Sequence, residues 1–142
     1  MRRSSLRRES GTPEPCPNCG VAHRTLTVET CIDRGMSERV LQDRVVDRAK
    51  RRGWKVAHAG RGIAAFDAEG NPVFVTPMSV GWPDLFLLRP PRALAIECKR
   101  EEGDLTPEQL DYLQLFNACG IPAVVVKPSD LREGRVNAIL KR

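Results

Sequence analysis

The chain has 142 residues and carries 23 lysines and arginines against 18 aspartates and glutamates, a formal net charge of +5. That length fits one domain with a modest core. No run approaches the ~20 apolar residues that span a bilayer, and the basic start "MRRSSLRRES" has no apolar stretch after it. We therefore expect an intracellular protein without a secretory signal or membrane span. The positive excess favours a polyanionic partner, although an ordinary basic domain has the same balance.

The N-terminal part of the chain carries a possible metal site. Residues 1–14 have almost nothing to bury and are predicted to be a disordered basic tail. Residues 15–34 include "CPNCG", where CxxC spacing in a turn-forming sequence is typical of half a zinc knuckle. The candidate zinc ligands of this segment are Cys16, Cys19, His23 and Cys31. Because the second pair fits no standard spacing, a metal-free CxxC and a redox pair stay open as alternatives. The other two cysteines, Cys98 and Cys119, are predicted to be buried thiols.

The first regular element is predicted over residues 37–52, with Ser37 as the N-cap. Leu41, Val45 and Ala49 recur at helical spacing and form one apolar stripe. Basic residues fill the rest of the helix and its last turn, where cations suit the helix dipole. The segment is therefore predicted to be a surface helix with one buried face.

Strands and helices alternate along the remaining chain. Strands are predicted at 54–59, on either side of the turn "AEGNP", and at 84–88, 93–98 and 121–128. A helix is predicted over 105–120, capped by Thr106, and one or two short helices over 129–142. The continuous apolar character of 84–88 and 93–98 predicts burial on both faces. This order predicts an α/β fold in which helices cover a mixed β-sheet, preceded by a small cysteine-bearing extension.

Each of the two apolar strands carries one carboxylate. Counting outward from a turn centred between Pro90 and Pro91 pairs Asp84 with Glu97, with Cβ atoms about 5 Å apart. Two prolines cannot occupy a tight two-residue hairpin turn, which needs positive φ. A four-residue loop over 89–92 would keep the same register, whereas a bulge would shift it. With the register kept, the two carboxylates are predicted to face each other.

Facing carboxylates in an apolar sheet repel each other and lose hydration, so positive charge must offset them. Lys99 shares the strand face of Glu97 and can neutralise one carboxylate. A Mg²⁺ held between Asp84 and Glu97 would balance the rest. Such a cation polarises a phosphodiester and activates water, and Lys99 would neutralise transition-state charge. The alternative is a solvated strand-end pair with Lys99 in a surface ion pair.

The motifs "GWPD", "AIECKRE" and "LTPEQLDYLQLFNACGIPAVVV" occur in that order. Together with the opening helix they resemble the VRR-NUC family of the PD-(D/E)XK nuclease superfamily over roughly residues 37–130. The resemblance implies a restriction-endonuclease-like core with a mixed sheet and flanking helices, spanning residues 35–142 here. It also implies a Mg²⁺- or Mn²⁺-dependent phosphodiesterase.

The resemblance assigns roles residue by residue. Asp84 and Glu97 would be the acidic metal ligands, and the backbone carbonyl of Cys98 a third ligand. Lys99 would be the motif lysine. The helix residues that would face the site are Glu38, Gln42 and Gln109. Glu38 could instead stabilise its helix N-terminus, and Gln109 could be an exposed helix-start residue. Ser79 and Gly81 would shape the loop before Asp84, where close approach of a DNA backbone favours glycine.

A single short domain of this kind resembles the stand-alone viral and prophage members of the family. Those members resemble structure-selective enzymes, including Holliday-junction resolvases. The resemblance therefore implies a DNA endonuclease, with branched DNA as a possible substrate and a homodimer as a possible assembly. It places the protein in the cytoplasm of a bacterial or phage-infected cell. Two rivals remain open, an inactive nucleic-acid-binding module with the nuclease fold and a zinc-stapled protein-interaction adaptor.

Overall fold

The computed structural model describes residues 16–18, 28–59, 63–75 and 79–142. The predictions for residues 1–14, for Cys19 and for His23 lie outside these ranges. The helices are α1 (Val28–Gly35), α2 (Glu38–Arg51), α3 (Pro107–Ala118), α4 (Pro128–Arg132) and α5 (Arg135–Lys141). The strands are β1 (Lys55–His58), β2 (Ile63–Phe66), β3 (Pro72–Val75), β4 (Leu85–Arg89), β5 (Arg92–Cys98) and β6 (Ala123–Val126). In the described ranges, no helix is long and apolar enough to cross a bilayer.

The principal sheet is mixed, with strand order β1-β4-β5-β6. The β1–β4 and β4–β5 pairs are antiparallel, whereas β5 and β6 pair in parallel across a connection that contains α3. Strands β2 and β3 form a separate antiparallel hairpin. This hairpin is an insertion between Ala59 and Asp84. The Ala59 N–H donates to the Asp84 carbonyl at 2.9 Å, so a hydrogen bond joins the two ends of the insertion. The predicted α/β architecture with a mixed sheet and flanking helices is confirmed.

Helix α2 forms where its caps and its apolar stripe predict. The Ser37 hydroxyl accepts the Val40 N–H at 3.2 Å, which satisfies one unpaired donor of the first turn. Leu41, Val45 and Ala49 are fully buried in the main core. That core also includes β4 and β5 side chains and residues of α5, so one face of the sheet is closed by α2 and α5.

The hairpin register is confirmed, but the turn prediction is wrong. Leu85 pairs with Ile96, and Arg89 pairs with Arg92, so the connection is a two-residue turn of Pro90 and Pro91. The peptide bond between these prolines is cis. A cis-proline turn reverses the chain without positive φ, so the geometric objection to two prolines does not apply.

The two hairpin strands differ in burial. In β5, every residue from Leu94 to Cys98 is buried, as predicted. In β4 the burial alternates, and Leu88 is 46% exposed, so the prediction of burial on both faces is wrong for this strand. The reason is that side chains alternate between the two faces of the sheet, so Leu85 and Leu87 enter the main core whereas Leu88 lies on the opposite face.

Two further differences concern the extension and the last turn of α3. Helix α1 was not predicted, yet it is fastened to the core because Asp33, 3% exposed, accepts from Arg132 at 2.9 Å. Cys119 is exposed rather than buried, because it follows the end of α3 in the turn before β6. Cys98 is fully buried, as predicted.

Candidate active site

The two carboxylates lie at one end of the β4–β5 hairpin and are connected through the main chain. Asp84 directly precedes β4, and its N–H donates to Glu97 Oε2 at 3.2 Å. In return, the Cys98 N–H donates to Asp84 Oδ2 at 2.9 Å. These reciprocal bonds hold the side chains of Asp84 and Glu97 toward each other. The apolar register of the hairpin is therefore what brings the carboxylates together.

Glu97 is the buried member of the pair, with 2% of its surface exposed. Its Oε1 accepts from Gln109 Nε2 at 2.8 Å and lies 3.9 Å from Lys99 Nζ. Burial of a carboxylate is costly unless hydrogen bonds and a counter-charge offset it. Lys99 is itself buried, with 9% exposure, so its ammonium faces the site rather than bulk water.

The electrostatic balance of the site is negative. Burial, followed by the charge of Asp84, raises the pKa of Glu97 from 4.5 to about 7. Burial also raises the pKa of Asp84, while the Cys98 N–H bond and the Lys99 charge oppose that rise. Burial raises the pKa of the Cys98 thiol, which is therefore an inert neighbour. One lysine does not offset the carboxylates, so a further positive charge would stabilise the ionised pair.

Helix α2 contributes two of the predicted residues. Gln42 lies near enough to Asp84 to lower its pKa, and the charge of Glu38 raises the pKa values of Asp84 and Glu97. Both helix residues are half-buried. The structure thus brings Glu38 and Gln42 to the carboxylates, as their shared helix face with Val45 predicts.

Gln109 connects the site to the start of α3. Its Oε1 accepts the Thr106 N–H at 2.9 Å, and its own N–H donates to Thr106 Oγ1 at 3.2 Å, which together make a capping box. Because the amide oxygen is used by the cap, the amide NH₂ is turned toward Glu97. The alternative of an exposed helix-start residue is wrong, since Gln109 is half-buried against a carboxylate.

This double use of Gln109 leads to a prediction. In Gln109→Glu, one carboxylate oxygen can still accept from Thr106, but a second negative charge faces Glu97 and raises its pKa further. We expect cleavage activity to fall about tenfold to a hundredfold, as loss of a charge-assisted hydrogen bond implies. The matched variant Thr106→Ala removes the cap, costs about 1 kcal/mol of stability and keeps the bond to Glu97. Activity assays and thermal melts of both variants check this. Equal activity losses in the two variants would contradict it.

The loop before Asp84 is pressed against α3. Gly81 has φ +90°, and a Cβ there would lie 2.6 Å from the Glu108 carbonyl carbon. The glycine is therefore explained by contact with protein backbone, whereas the sequence suggested approach of DNA; the nearby Ser79 is exposed. Beside it, the Trp82 ring lies 5.0 Å from the Phe116 ring and 5.5 Å from the Tyr112 ring.

This aromatic cluster was not found from the sequence, because its members are far apart along the chain. It adjoins a shallow cavity of about 210 Å³ lined mainly by α3 side chains. Since Trp82 is two residues from Asp84, the cluster fixes the loop that carries the first carboxylate. The helical spacing of Tyr112 and Phe116 is the sequence signal that could have indicated part of the cluster.

The predicted zinc ligands are only partly described. Cys16 Sγ and Cys31 Sγ lie 3.6 Å apart, and Asn18 Nδ2 donates to the Cys31 carbonyl at 3.0 Å. Cys19 and His23 lie outside the described residues. Within the described ranges, no three His, Cys, Asp or Glu side chains gather as a ready metal-binding group.

The residues at the hairpin end nevertheless fit a divalent cation. Asp84 and Glu97 present oxygen atoms, which are the ligands that Mg²⁺ and Mn²⁺ prefer. Burial, followed by neighbouring negative charge, raises the pKa values of both groups, so an added positive charge would stabilise the ionised pair. A cation would favour the ionised form of both groups.

The family model of the VRR-NUC domain matches residues 75–130. A solved structure titled "VRR_NUC domain" is 22% identical, with a TM-score of 0.48, and the match covers 74% of this chain and 95% of that one. No curated protein matches the chain significantly.

The matched segment contains Asp84, Glu97, Lys99 and Gln109, and so most of the geometry described above. A VRR-NUC domain implies a nuclease-type fold, nuclease activity in general and DNA as the substrate. The family-model match over residues 75–130 confirms the resemblance seen in the sequence motifs.

Proposed function

We propose that the protein is a divalent-metal-dependent DNA endonuclease that hydrolyses phosphodiester bonds. The observation that carries the proposal is the reciprocal pairing of Asp84 and Glu97, with Lys99 Nζ 3.9 Å from Glu97 Oε1. A surface ion pair is exposed to water, whereas Glu97 and Lys99 are both buried. Their burial in this arrangement supports a reactive site rather than a solvated strand end.

Each residue of the site has a proposed task. Asp84, Glu97 and the backbone carbonyl of Cys98 would hold Mg²⁺ or Mn²⁺. When bound, the cation would supply Lewis-acid activation of the phosphodiester and of water. Lys99 stabilises negative charge on the phosphoryl group as it develops. Gln109 orients Glu97 through its hydrogen bond, and Gln42 lies beside Asp84. Glu38 adds negative charge that favours cation binding.

The substrate and assembly follow as finer parts of the proposal. We infer that branched DNA, such as a four-way junction, is cut in preference to a linear duplex by a homodimer in the cytoplasm. A two-fold dimer presents two sites to two strands of opposite polarity, which suits a symmetric junction. This preference rests on the family resemblance, since the described residues of one protomer contain one such site.

The test is a cleavage panel with three DNA substrates, namely supercoiled plasmid, linear duplex and four-way junction. The wild-type protein is assayed with Mg²⁺, with Mn²⁺ and with EDTA, beside Asp84→Asn, which keeps the shape but removes the charge. We expect metal-dependent cutting that EDTA and Asp84→Asn abolish. Binding of DNA without cutting under all conditions would contradict the proposal and favour an inactive binding module. Light scattering with and without junction DNA tests the homodimer.

We further propose that the cysteine-bearing extension binds a structural Zn²⁺ through Cys16, Cys19, His23 and Cys31. The supporting observation is the 3.6 Å between Cys16 Sγ and Cys31 Sγ. Two thiolates about 2.3 Å from one tetrahedral zinc are about 3.8 Å apart, so this separation fits two ligands of one ion.

The zinc proposal predicts one zinc per chain by elemental analysis. Co²⁺ substitution should give the intense visible absorption of thiolate coordination, and Cys16→Ser and Cys31→Ser should lose both signals. Cys119→Ser is the matched control, because Cys119 is exposed and away from the extension, and it should retain the metal. Zinc-free protein with reduced thiols and an unchanged melting temperature would show that the extension needs no metal.

A further inference from the structure

The β4–β5 hairpin has opposite charges at its two ends. The open end carries Asp84 and Glu97, and the turn end carries the directly paired residues Arg89 and Arg92. Paired like charges repel each other in a sheet. Repulsion between the carboxylates favours a bound cation, and repulsion between the arginines likewise favours a bound anion at the turn end.

Packing on Trp54 holds the two guanidinium groups in place. The Arg89 guanidinium lies 4.4 Å from the centre of the Trp54 ring, and that of Arg92 lies 5.1 Å from it. Arg89 also donates to the carbonyls of Arg52 and Arg142, at 2.9 and 3.0 Å. Arg89 is thus a structural clamp on the last turns of two helices, whereas Arg92 is held mainly by the ring.

More cations surround this pair. Arg52 ends α2, and Lys55 pairs with Leu88, the residue before Arg89. We name Arg52, Lys55, Arg89 and Arg92 the cationic end. Among the described residues, no Asp or Glu side chain forms an ion pair with any of the four. Four arginines elsewhere in the described ranges do have a carboxylate partner, namely Arg34, Arg51, Arg132 and Arg135.

The distance between the cationic end and the carboxylates follows from the length of β4 and can be compared with the spacing of DNA phosphates. Asp84 and Arg89 are five residues apart along one strand, or ~17 Å at about 3.4 Å per residue. Successive phosphates of a DNA strand advance by about 3.4 Å along the helix axis. Because side chains alternate between the two faces of a strand, Arg89 and Arg92 lie on the opposite face from Asp84 and Glu97, whereas Lys55, opposite Leu88, lies on the carboxylate face. The cationic end therefore lies at the turn end of the hairpin, about five nucleotides of duplex length from the carboxylates.

We propose that the cationic end is a second contact for the phosphate backbone of the DNA substrate. This inference rests on the proposed nuclease function for its orientation, but the contact itself requires no catalysis. DNA is favoured over an acidic protein because Arg89 and Arg92 belong to the same hairpin as the carboxylates that would receive a phosphodiester, and Lys55 lies on the carboxylate face of the sheet. Arginines preorganised on an aromatic ring bind phosphate with less entropy loss than free side chains.

The test measures DNA binding in EDTA, so that cleavage has no influence on it. Fluorescence anisotropy with a labelled 30-base-pair duplex is recorded across a salt series for the wild type and for Arg52→Gln/Lys55→Gln. Neither of these side chains has a described polar contact, so folding should be preserved. We expect Kd to rise about tenfold, and the slope of log Kd against log salt to fall by about 1.8 for two lost phosphate contacts. Arg92→Gln tests the ring-held arginine separately.

The matched control is Arg39→Gln/Arg44→Gln, which removes two positive charges from exposed side chains of α2. Equal slopes for the two double variants would overturn the proposal, because the effect would then be one of net charge. Weaker binding to a polyglutamate peptide with unchanged DNA binding would overturn it in favour of an acidic protein partner. Failure of the proposed nuclease function would give a different result. The wild type and the double variant would still differ in the slope of log Kd against log salt, but the wild type would cut no DNA.

Discussion

Replacement of Lys99 by methionine is expected to lower kcat for DNA cleavage by about 10²–10³-fold, the usual cost of removing one transition-state charge stabiliser. The ammonium lies 3.9 Å from Glu97 Oε1, beyond hydrogen-bonding distance, so Glu97 does not fully occupy it. Methionine keeps an unbranched apolar chain in a buried position and removes only the charge. DNA binding in EDTA should change little, because one buried lysine contributes little to contacts along the backbone.

Single-turnover cleavage at saturating Mn²⁺ and saturating DNA separates the chemical step from binding. Arg100→Met is the matched control, because it removes the same charge one residue later from an exposed side chain. Its kcat should remain within about threefold of the wild type, as for an ordinary exposed position outside the site. An unchanged kcat in Lys99→Met would mean that the lysine only balances the charge of Glu97.

Metal-free protein should lose stability as the pH rises from about 4.5 to about 7. Burial raises the pKa of Glu97 to about 7 in the folded state, against 4.5 for an ordinary glutamate. Between these values the folded state holds more protons than the unfolded state, so raising the pH favours unfolding. At about 1.4 kcal/mol per pKa unit, the loss is up to about 3 kcal/mol. The raised pKa of Asp84 acts in the same direction.

Denaturant titrations at several pH values, in EDTA and with Mn²⁺, measure this loss. The cation should abolish it, because binding favours the ionised carboxylates and stabilises only the folded protein. Glu97→Gln should show a smaller pH dependence in EDTA, and the difference from the wild type isolates this one residue. A wild-type stability that is flat or rises over this pH range in EDTA would contradict the prediction.

The parts of the site predictable from the sequence are those set by local periodicity. Strand alternation and a turn centred on Pro90 and Pro91 were sufficient to place Asp84 opposite Glu97, even though the turn type was wrong. Helical spacing was likewise sufficient to put Glu38 and Gln42 on one face of α2. Such patterns repeat every two or three to four residues, so a single sequence displays them.

Contacts between distant residues could not be predicted in this way. The burial of Asp33 depends on Arg132, 99 residues later, and so helix α1 had no recognisable signal. The cap at Thr106 was predicted, but its effect on the Gln109 amide depends on the position of Glu97 across the fold. The exposure of Cys119 depends on where α3 stops, and helix ends are the least certain feature of a sequence pattern.

The bond between Ala59 and Asp84 has a practical consequence for engineering. Because the chain leaves and re-enters the sheet at two hydrogen-bonded residues, the length of the hairpin between them does not alter the strand register. The closure entropy of a flexible loop grows only by about 0.6 kcal/mol for each doubling of its length. The exposed turn at residues 68–70 is therefore a permissive insertion point. A reporter or affinity tag grafted there would sit on the insertion that leads into Asp84 and leave the sheet unchanged.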